Sequence, residues 1–282
     1  MAMQRDVVER AISAALREDV GLGDITTDST VPVAAVGLGR LWAKQPQVVA
    51  GLAVAEAVFA AVDSSLQWEP AASDGDVLAH GAPIAHVRGS LRAILTAERT
   101  ALNFLQRMGG IATLTRQFVE ALEGTGVRVA DTRKTTPGLR MLEKHAVAVA
   151  GGVNHRWALD SGVLIKDNHL LAAGGVGPAV ASAREGAPHT LRVEVECKRL
   201  DQVAEAIEAG AEAVLLDNMG GALLAEAVAL ASGRVVVEVS GGVTLETIRE
   251  KALPGVDLIS VGALTHSAPC VDIALDLEGG VE

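Results

Sequence analysis

The chain has no tyrosine, only three phenylalanines and three tryptophans, so aromatic residues make up 2% of its 282 positions. Proteins that grip single strands by stacking bases need such rings, and that class is excluded. Cysteine is equally scarce. Cys197 and Cys270 lie far apart with no C-x-x-C, which leaves neither a disulfide framework nor a zinc knuckle, and both are expected as small core residues. No segment reaches the roughly 18 uncharged apolar residues that a membrane span requires. The opening MAMQRDVVERAISAALRED sets Val7, Ala11, Ile12, Ala15 and Leu16 between charges, predicting an amphipathic helix in place of a signal peptide and a cytoplasmic protein. Positive charge is in deficit too. A formal net charge of -11 argues against general binding to nucleic-acid backbones or anionic membranes, so an anionic ligand must be met by a local cationic cluster. Also missing are G-x-x-x-x-G-K-[ST], a strand followed by G-x-G-x-x-G, a nucleophile elbow and H-E-x-x-H. Nucleotide hydrolysis, nicotinamide hydride transfer, serine hydrolysis and zinc proteolysis all lose support.

What remains is a core of Ala, Val, Leu and Gly, with hydrophobic residues at 49% of the chain. From Asp131 onward, short apolar runs end in a polar residue or glycine and lead into helical patterns: VRVAD, VLIK, LRVEVE, AVLLD, VVVEVS and DLISVG. The last four end 21 to 23 residues apart, the length of a strand, a helix and two short loops. Nearly unbroken Val, Ile and Leu belongs to strands covered on both faces, and a right-handed βα series that closes on itself makes a barrel. The count of six predicts an incomplete one. Before Asp131 the pattern is mixed, with strand-like PIAHVRG and a long amphipathic helix, Ser90 to Met108, expected to stop at Gly109-Gly110. The expected fold is therefore α/β, with an N-terminal α/β sandwich domain over 1–109 and an open α/β barrel of about six parallel strands over 110–268. The tail over 269–282, with the alternation of VDIALDLE and no partner helix, is expected to return to the first domain.

In such barrels the carboxyl ends of the strands converge on one mouth. Those positions hold Asp131, Arg133, Lys134, Lys166, Glu196, Asp217, Ser240 and His266. Solvated loops could explain any one of them, but they explain the set poorly. Between Asp131 and Lys166 the charges sum to +3, with Arg133, Lys134, Arg140, Lys144, Arg156 and Lys166 as cations, leaving -14 for the rest of the chain. Such segregation suggests a pocket for a small polyanion, because guanidinium forks match carboxylates and phosphates. Glu196 and Asp217 end successive strands and suit Mg²⁺ held partly by ligand oxygens. Glu194 shares the strand face of Glu196, where it could join them or pair with Arg192 inside the barrel. VSGGVT and SVGALTHS put small residues and backbone amides at two further strand ends, as a phosphate site or as plain tight turns.

Several runs then resemble one family: GDITT (Gly23 to Thr27), ERTALNFLQ (Glu98 to Gln106), GIAT (Gly110 to Thr113), DTRKTTPGLR (Asp131 to Arg140), NHR (Asn154 to Arg156), LIKDNH (Leu164 to His169), VEVE (Val193 to Glu196), LLDNM (Leu215 to Met219), SGG (Ser240 to Gly242) and VGALTHS (Val261 to Ser267). Together they are similar to quinolinate phosphoribosyltransferase, the decarboxylating nicotinate-nucleotide pyrophosphorylase of NAD biosynthesis. The resemblance implies phosphoribosyl transfer from phosphoribosyl pyrophosphate to quinolinate, giving nicotinate mononucleotide, pyrophosphate and CO₂. It also implies Mg²⁺ and a homodimer or larger homo-oligomer with the active site shared between subunits. By position, quinolinate would meet Arg133, Lys134, His155, Arg156 and Lys166, with Arg99 supplied by the neighbouring subunit. Glu196 and Asp217 would face the ribose hydroxyls and Mg²⁺, directly or through water, and count with Lys134 as the catalytic residues. Ser240, Gly241, Gly262 and His266 would surround the phosphate. The sequence departs at His145, where the family usually has Tyr, and at Ala150, where a third Gly often precedes NHR; neither change removes a ligand. Three rivals stay open: a relative of the same fold acting on another anionic ring or serving metal transport, a Schiff-base lyase using Lys134 or Lys166, and a binding protein without catalysis.

Overall fold

Burial of Val8 and Ile12 makes the amphipathic opening α1 (Arg5–Val20), whose apolar stripe packs on α3. In the computed structural model, which describes residues 3–280, there follow α2 (Ile25–Thr30), β1 (Val36–Ala43), β2 (Gln47–Val48), α3 (Leu52–Val62), β3 (Gln67–Pro70), β4 (Val77–Leu78), β5 (Pro83–Ser90) and α4 (Leu91–Ala121). The first two residues of the opening segment and the last two of the tail lie outside the described residues. The chain continues as β6 (Arg128–Ala130), α5 (Arg140–Val149), β7 (Val163–Ile165), α6 (Asp167–Ala173), α7 (Val176–Gly186), β8 (Val193–Cys197), α8 (Leu200–Glu208), β9 (Ala213–Asp217), α9 (Gly221–Ala231), β10 (Val236–Ser240), α10 (Ile248–Lys251), β11 (Leu258–Ser260), α11 (Ala263–His266) and β12 (Ile273–Gly280). No helix of the described residues is long and apolar enough to cross a membrane.

Two units result: Met1–Arg116 with Thr135–Gly151 and Leu264–Glu282, and Gln117–Lys134 with Gly152–Ala263. The first is built on a four-stranded antiparallel sheet in the order β12-β1-β5-β3. β12 runs alongside the whole of β1, from Val36 opposite Gly280 to Ala43 opposite Ile273. Leu41, Ala43, Ala85 and Val87 are fully buried on this sheet. α4 does not stop at Gly109-Gly110, as its glycines predict; it runs on to Ala121. The glycines serve close approach instead. A Cβ on Gly110 would strike the Pro269 carbonyl oxygen and sit 3.0 Å from Cys270 Cα, and one on Gly109 would lie 2.9 Å from a Val271 methyl. Arg107 of α4 also reaches buried Glu143 of α5 at 2.8 Å, and that carboxylate accepts from the Thr136 hydroxyl at 2.7 Å. Nearby, Asp74 accepts from the backbone N–H of Gly51 (2.9 Å) and Leu52 (3.1 Å), capping α3, and faces His145 Nε2 at 3.2 Å. His145, one of the departures from the family pattern, thus has a partner of its own.

The second unit carries the expected parallel strands. All six apolar runs form one sheet, ordered β6-β11-β10-β9-β8-β7, with β6 and β7 at its edges. Val195, Val214, Leu216, Val237, Val239 and Ile259 are fully buried along it, as two-sided coverage requires. Each strand therefore delivers its last residue to the same end of the sheet.

Two measurements check these contacts. Gly110→Ala should destabilise by roughly 2 kcal/mol or more because backbone has to move, while Gly186→Ala, at a helical site with nothing within 4 Å of the new Cβ, should be neutral or stabilising by up to about 1 kcal/mol in urea unfolding. For Asp74, burial opposes ionisation, but His145, Leu52 and Gly51 outweigh it and hold the carboxyl below its ordinary value. A depressed folded pKa gives stability that is present above the unfolded carboxylate value and is lost as pH falls through the folded one. Asp74→Ala should lower stability by about 1–2 kcal/mol at neutral pH, with the gap to wild type closing as pH drops below about 4.

Candidate active site

At the carboxyl end of the parallel sheet the second unit encloses a cavity of about 330 Å³. β6 leads into Arg133 and Lys134, β7 into Lys166, β8 ends at Glu196 and Cys197, β9 at Asp217, and β10 at Ser240 followed by Gly241. Except for Cys197, all of these side chains or backbones line the cavity, joined by His155 and Arg156 from the segment before β7. A larger hollow of about 940 Å³ lies between α1 and α3, but its walls are mostly Ala, Val, Ile and Leu and gather no cations around a convergent centre. Chemistry, rather than size, picks the smaller one.

The segment that carries His155 and Arg156 is held from below. Asp131, fully buried at the end of β6, accepts from Asn154 Nδ2 at 2.7 Å and from the His155 backbone N–H at 2.9 Å. Its role is therefore to tie the NHR run to β6 rather than to face a ligand. Arg156 Nη1 donates to the Gly162 carbonyl at 2.9 Å. Burial and the neighbouring Arg133 guanidinium press the Arg156 pKa below its ordinary value, with Glu194 opposing. Two like charges crowded into one partly desolvated site invite an anion.

The acids form two layers. At the mouth, Glu196 is ion-paired with Lys166, and the exposed Lys198 ammonium has its pKa raised, first by its bond to Asp167 and further by Asp217 and Glu196. Below them, Glu194 and Glu238 both approach His155 Nε2, at 3.3 and 3.5 Å. The Arg192 pairing considered for Glu194 gives way to this one. Burial, then the Glu194 charge, push the Glu238 carboxyl well above the usual carboxylate range, with His155, Ser260 and Lys166 pulling the other way. Glu196 and Asp217, hard oxygen donors at the ends of adjacent parallel strands, fit a magnesium ion shared with a ligand.

At the opposite wall the turn after β10 demands glycine. Gly241 has φ +93°, and a Cβ there would run into the Asn218 side-chain amide. Asn218 itself takes a left-handed φ of 57° and donates its N–H to the Ser240 carbonyl at 2.9 Å. Ser260 Oγ lies 3.0 Å from Ser240 Oγ. Gly262 follows β11 and is not among the lining residues. Arg99, on α4, and His266, at the end of α11, belong to the first unit, as do Arg140 and Lys144 of α5. Gly242 and Ser260, from the VSGGVT and SVGALTHS runs, line the cavity too, and the lining residues not singled out from the sequence include Thr132, Asn218 and Glu238. Glu238 had a signal: a lone acid inside VVVEVS, otherwise an apolar run.

Comparison with known proteins bears on these features. The family model described as the quinolinate phosphoribosyl transferase C-terminal domain matches residues 111–276, and its N-terminal counterpart matches residues 24–109. The chain belongs to the quinolinate phosphoribosyltransferase family. Among curated relatives in that family, a probable nicotinate-nucleotide pyrophosphorylase [carboxylating] of Bacillus subtilis is 41% identical over 92% of this chain and 90% of its own length. A quinolinate phosphoribosyltransferase [decarboxylating] of Nicotiana glauca is 41% identical over 96% of this chain and 82% of its own. Among solved structures, NadC of Streptococcus pyogenes superposes with a TM-score of 0.95 at 40% identity, covering 99% of each chain. Human nicotinic acid phosphoribosyltransferase, at 12% identity and a TM-score of 0.61, shares the fold alone.

The hydrogen bonds of Asp131 generate a test independent of any ligand. Asp131→Ala takes the acceptor from two part-buried donors and should lower unfolding stability by roughly 1–3 kcal/mol, read from urea midpoints. Unchanged midpoints would contradict the tie between β6 and the NHR run.

Proposed function

We propose that the chain transfers the phosphoribosyl group of phosphoribosyl pyrophosphate to quinolinate and releases carbon dioxide and pyrophosphate, leaving nicotinate mononucleotide for NAD synthesis. The observation that carries this reading is the cavity where Arg133, Lys134, Arg156 and Lys166 face Glu196 and Asp217. Quinolinate is a dianion on a pyridine ring, and each charge pair at 4 Å is worth roughly 4 kcal/mol at an effective dielectric near 20, before desolvation is subtracted. Arg133, Lys134 and Arg156 hold its carboxylates, His155 shapes the same wall of the cavity with both ring nitrogens turned to protein groups, and Lys166 lies alongside. Ring nitrogen and anomeric carbon are thereby aligned, which alone can lower the barrier by roughly 7 kcal/mol. Glu196 and Asp217 face the ribose and favour the positive charge that develops as pyrophosphate departs.

Glu196 and Asp217 would also hold Mg²⁺, which when bound neutralises charge on the leaving pyrophosphate. Ser240 and Gly241, with Gly262 added by the resemblance, cradle the 5′-phosphate. After transfer the ring nitrogen is cationic, so the adjacent carboxylate leaves as CO₂ with its electron pair drawn toward that nitrogen. Lys134 then delivers a proton to the ring carbon left behind. Arg99 enters from a neighbouring subunit, which makes a homo-oligomer the working form, and the cytoplasm is the compartment proposed for it. Cys197 takes no part: burial, with the Glu196 and Asp201 charges, pushes its thiol pKa up to about 12. Nor does any observation favour a Schiff base at Lys166, whose ammonium is engaged by Glu196.

Incubating the protein with quinolinate, phosphoribosyl pyrophosphate and Mg²⁺ should yield nicotinate mononucleotide and one CO₂ per turnover, with nicotinate a poor substitute; product from nicotinate alone would overturn the assignment. Lys134→Ala should lower kcat/KM by about 100-fold or more. Mixing inactive Arg99→Ala with inactive Lys134→Ala after subunit exchange should restore part of the activity, and no recovery would count against a shared site.

A further inference from the structure

His155 is enclosed at both ring nitrogens by groups of the second unit. On one side its Nδ1 receives the backbone N–H of Arg156 at 2.7 Å. A nitrogen that accepts an N–H carries no proton of its own, so in the neutral ring the proton sits on Nε2. On the other side, Nε2 points at the carboxylates of Glu194 (3.3 Å) and Glu238 (3.5 Å), acceptors suited to that proton. Glu238 is 2% exposed in the middle of β10, and its Oε1 has no hydrogen-bond partner. Nothing in apolar packing asks for a carboxylate there; it has to serve a polar neighbour.

We propose that Glu238 is a positioning residue: together with Glu194 it fixes His155 as the Nε2–H tautomer, so that Nδ1 holds the Arg156 backbone and the Arg156 guanidinium is aimed at the quinolinate carboxylates. The inference rests on the function proposed above, since Arg156 is taken as a quinolinate ligand. The chain of contacts is continuous. Glu238 and Glu194 take the Nε2 proton, Nδ1 takes the Arg156 N–H, Asp131 takes the His155 N–H at 2.9 Å, and Gly162 takes one arm of the guanidinium at 2.9 Å. Burial, then the Glu194 charge, raise the Glu238 carboxyl above its ordinary pKa, which marks how closely the two acids share the space beneath the ring.

The same three side chains place one potential ligand atom each within 4.8 Å of one another, which also describes a cation site. The ring orientation argues against it. A metal-ligating imidazole donates its remaining N–H to an acceptor, whereas here the second nitrogen meets a donor.

Glu238→Leu, which keeps size and loses the acceptor, should raise the KM for quinolinate about tenfold or more while the KM for phosphoribosyl pyrophosphate stays within about twofold. Glu238→Gln, whose amide oxygen can still accept from Nε2, should bring the quinolinate KM back to within about threefold of wild type. An equal loss in both variants, or both KM values rising together, would overturn the positioning role. Nitrogen-15 NMR of histidine-labelled protein, with His155→Ala to assign the signal, should show a protonated Nε2 and a bare Nδ1 in the wild type. A protonated Nδ1 would overturn the proposal whether or not quinolinate is turned over. Titration with Zn²⁺ and with Mn²⁺ alone should leave that signal in place; a stoichiometric ion displacing the Nε2 proton would make the cluster a metal centre instead. Wild-type protein inert toward quinolinate but showing the Nε2–H signal would defeat the functional reading and leave the clamp on His155 standing.

Discussion

Two guanidinium groups, Arg133 and Arg156, line one cavity at the mouth of a parallel sheet, where burial first and the Arg133 charge second lower the Arg156 pKa. Everything around them is arranged to keep that unfavourable pair in place. Asp131 anchors the Asn154 side chain and the His155 backbone, Gly162 restrains the guanidinium, and the acids Glu194 and Glu238 lie against His155 behind it. In a chain with a net charge of -11, such a focus of positive potential is specific to one hollow. An arriving dianion would meet both guanidinium groups at once.

The parallel sheet makes that focus possible. Six strands pointing one way bring residues up to 128 positions apart in sequence to a single rim, cations mainly from the early strands and acids from the later ones. Because the strands are buried on both faces, their last residues can be polar only where the sheet ends. Phosphoribosyl transfer asks for this separation: the attacking ring is negative outside its nitrogen, while the reacting sugar turns positive as its pyrophosphate leaves.

Strand positions, the parallel α/β class and the gathering of charged residues at strand ends were legible in the sequence because unbroken Val, Ile and Leu runs end in polar residues at a regular spacing. Less legible were features that depend on distant partners. Gly109-Gly110 reads as a helix stop, yet α4 continues through it, because the pair makes room for the backbone at Pro269 and Cys270, some 160 residues away. Asp131 reads as a rim residue, yet the strand pairing buries it and gives it the Asn154 and His155 donors. Arg140 and Lys144 share the cationic window, but they sit on a helix of the other unit. Spacing places residues on elements; it does not say which neighbour turns a side chain inward.

The most direct test is a crystal structure of the protein with quinolinate. The cation-lined cavity predicts both carboxylates of the ligand against Arg133, Lys134 and Arg156, with the ring nitrogen open toward Glu196 and Asp217. Quinolinate seated elsewhere, for instance in the apolar hollow between α1 and α3, or bound with Arg133 and Arg156 turned away from it, would contradict the central role given to the guanidinium pair.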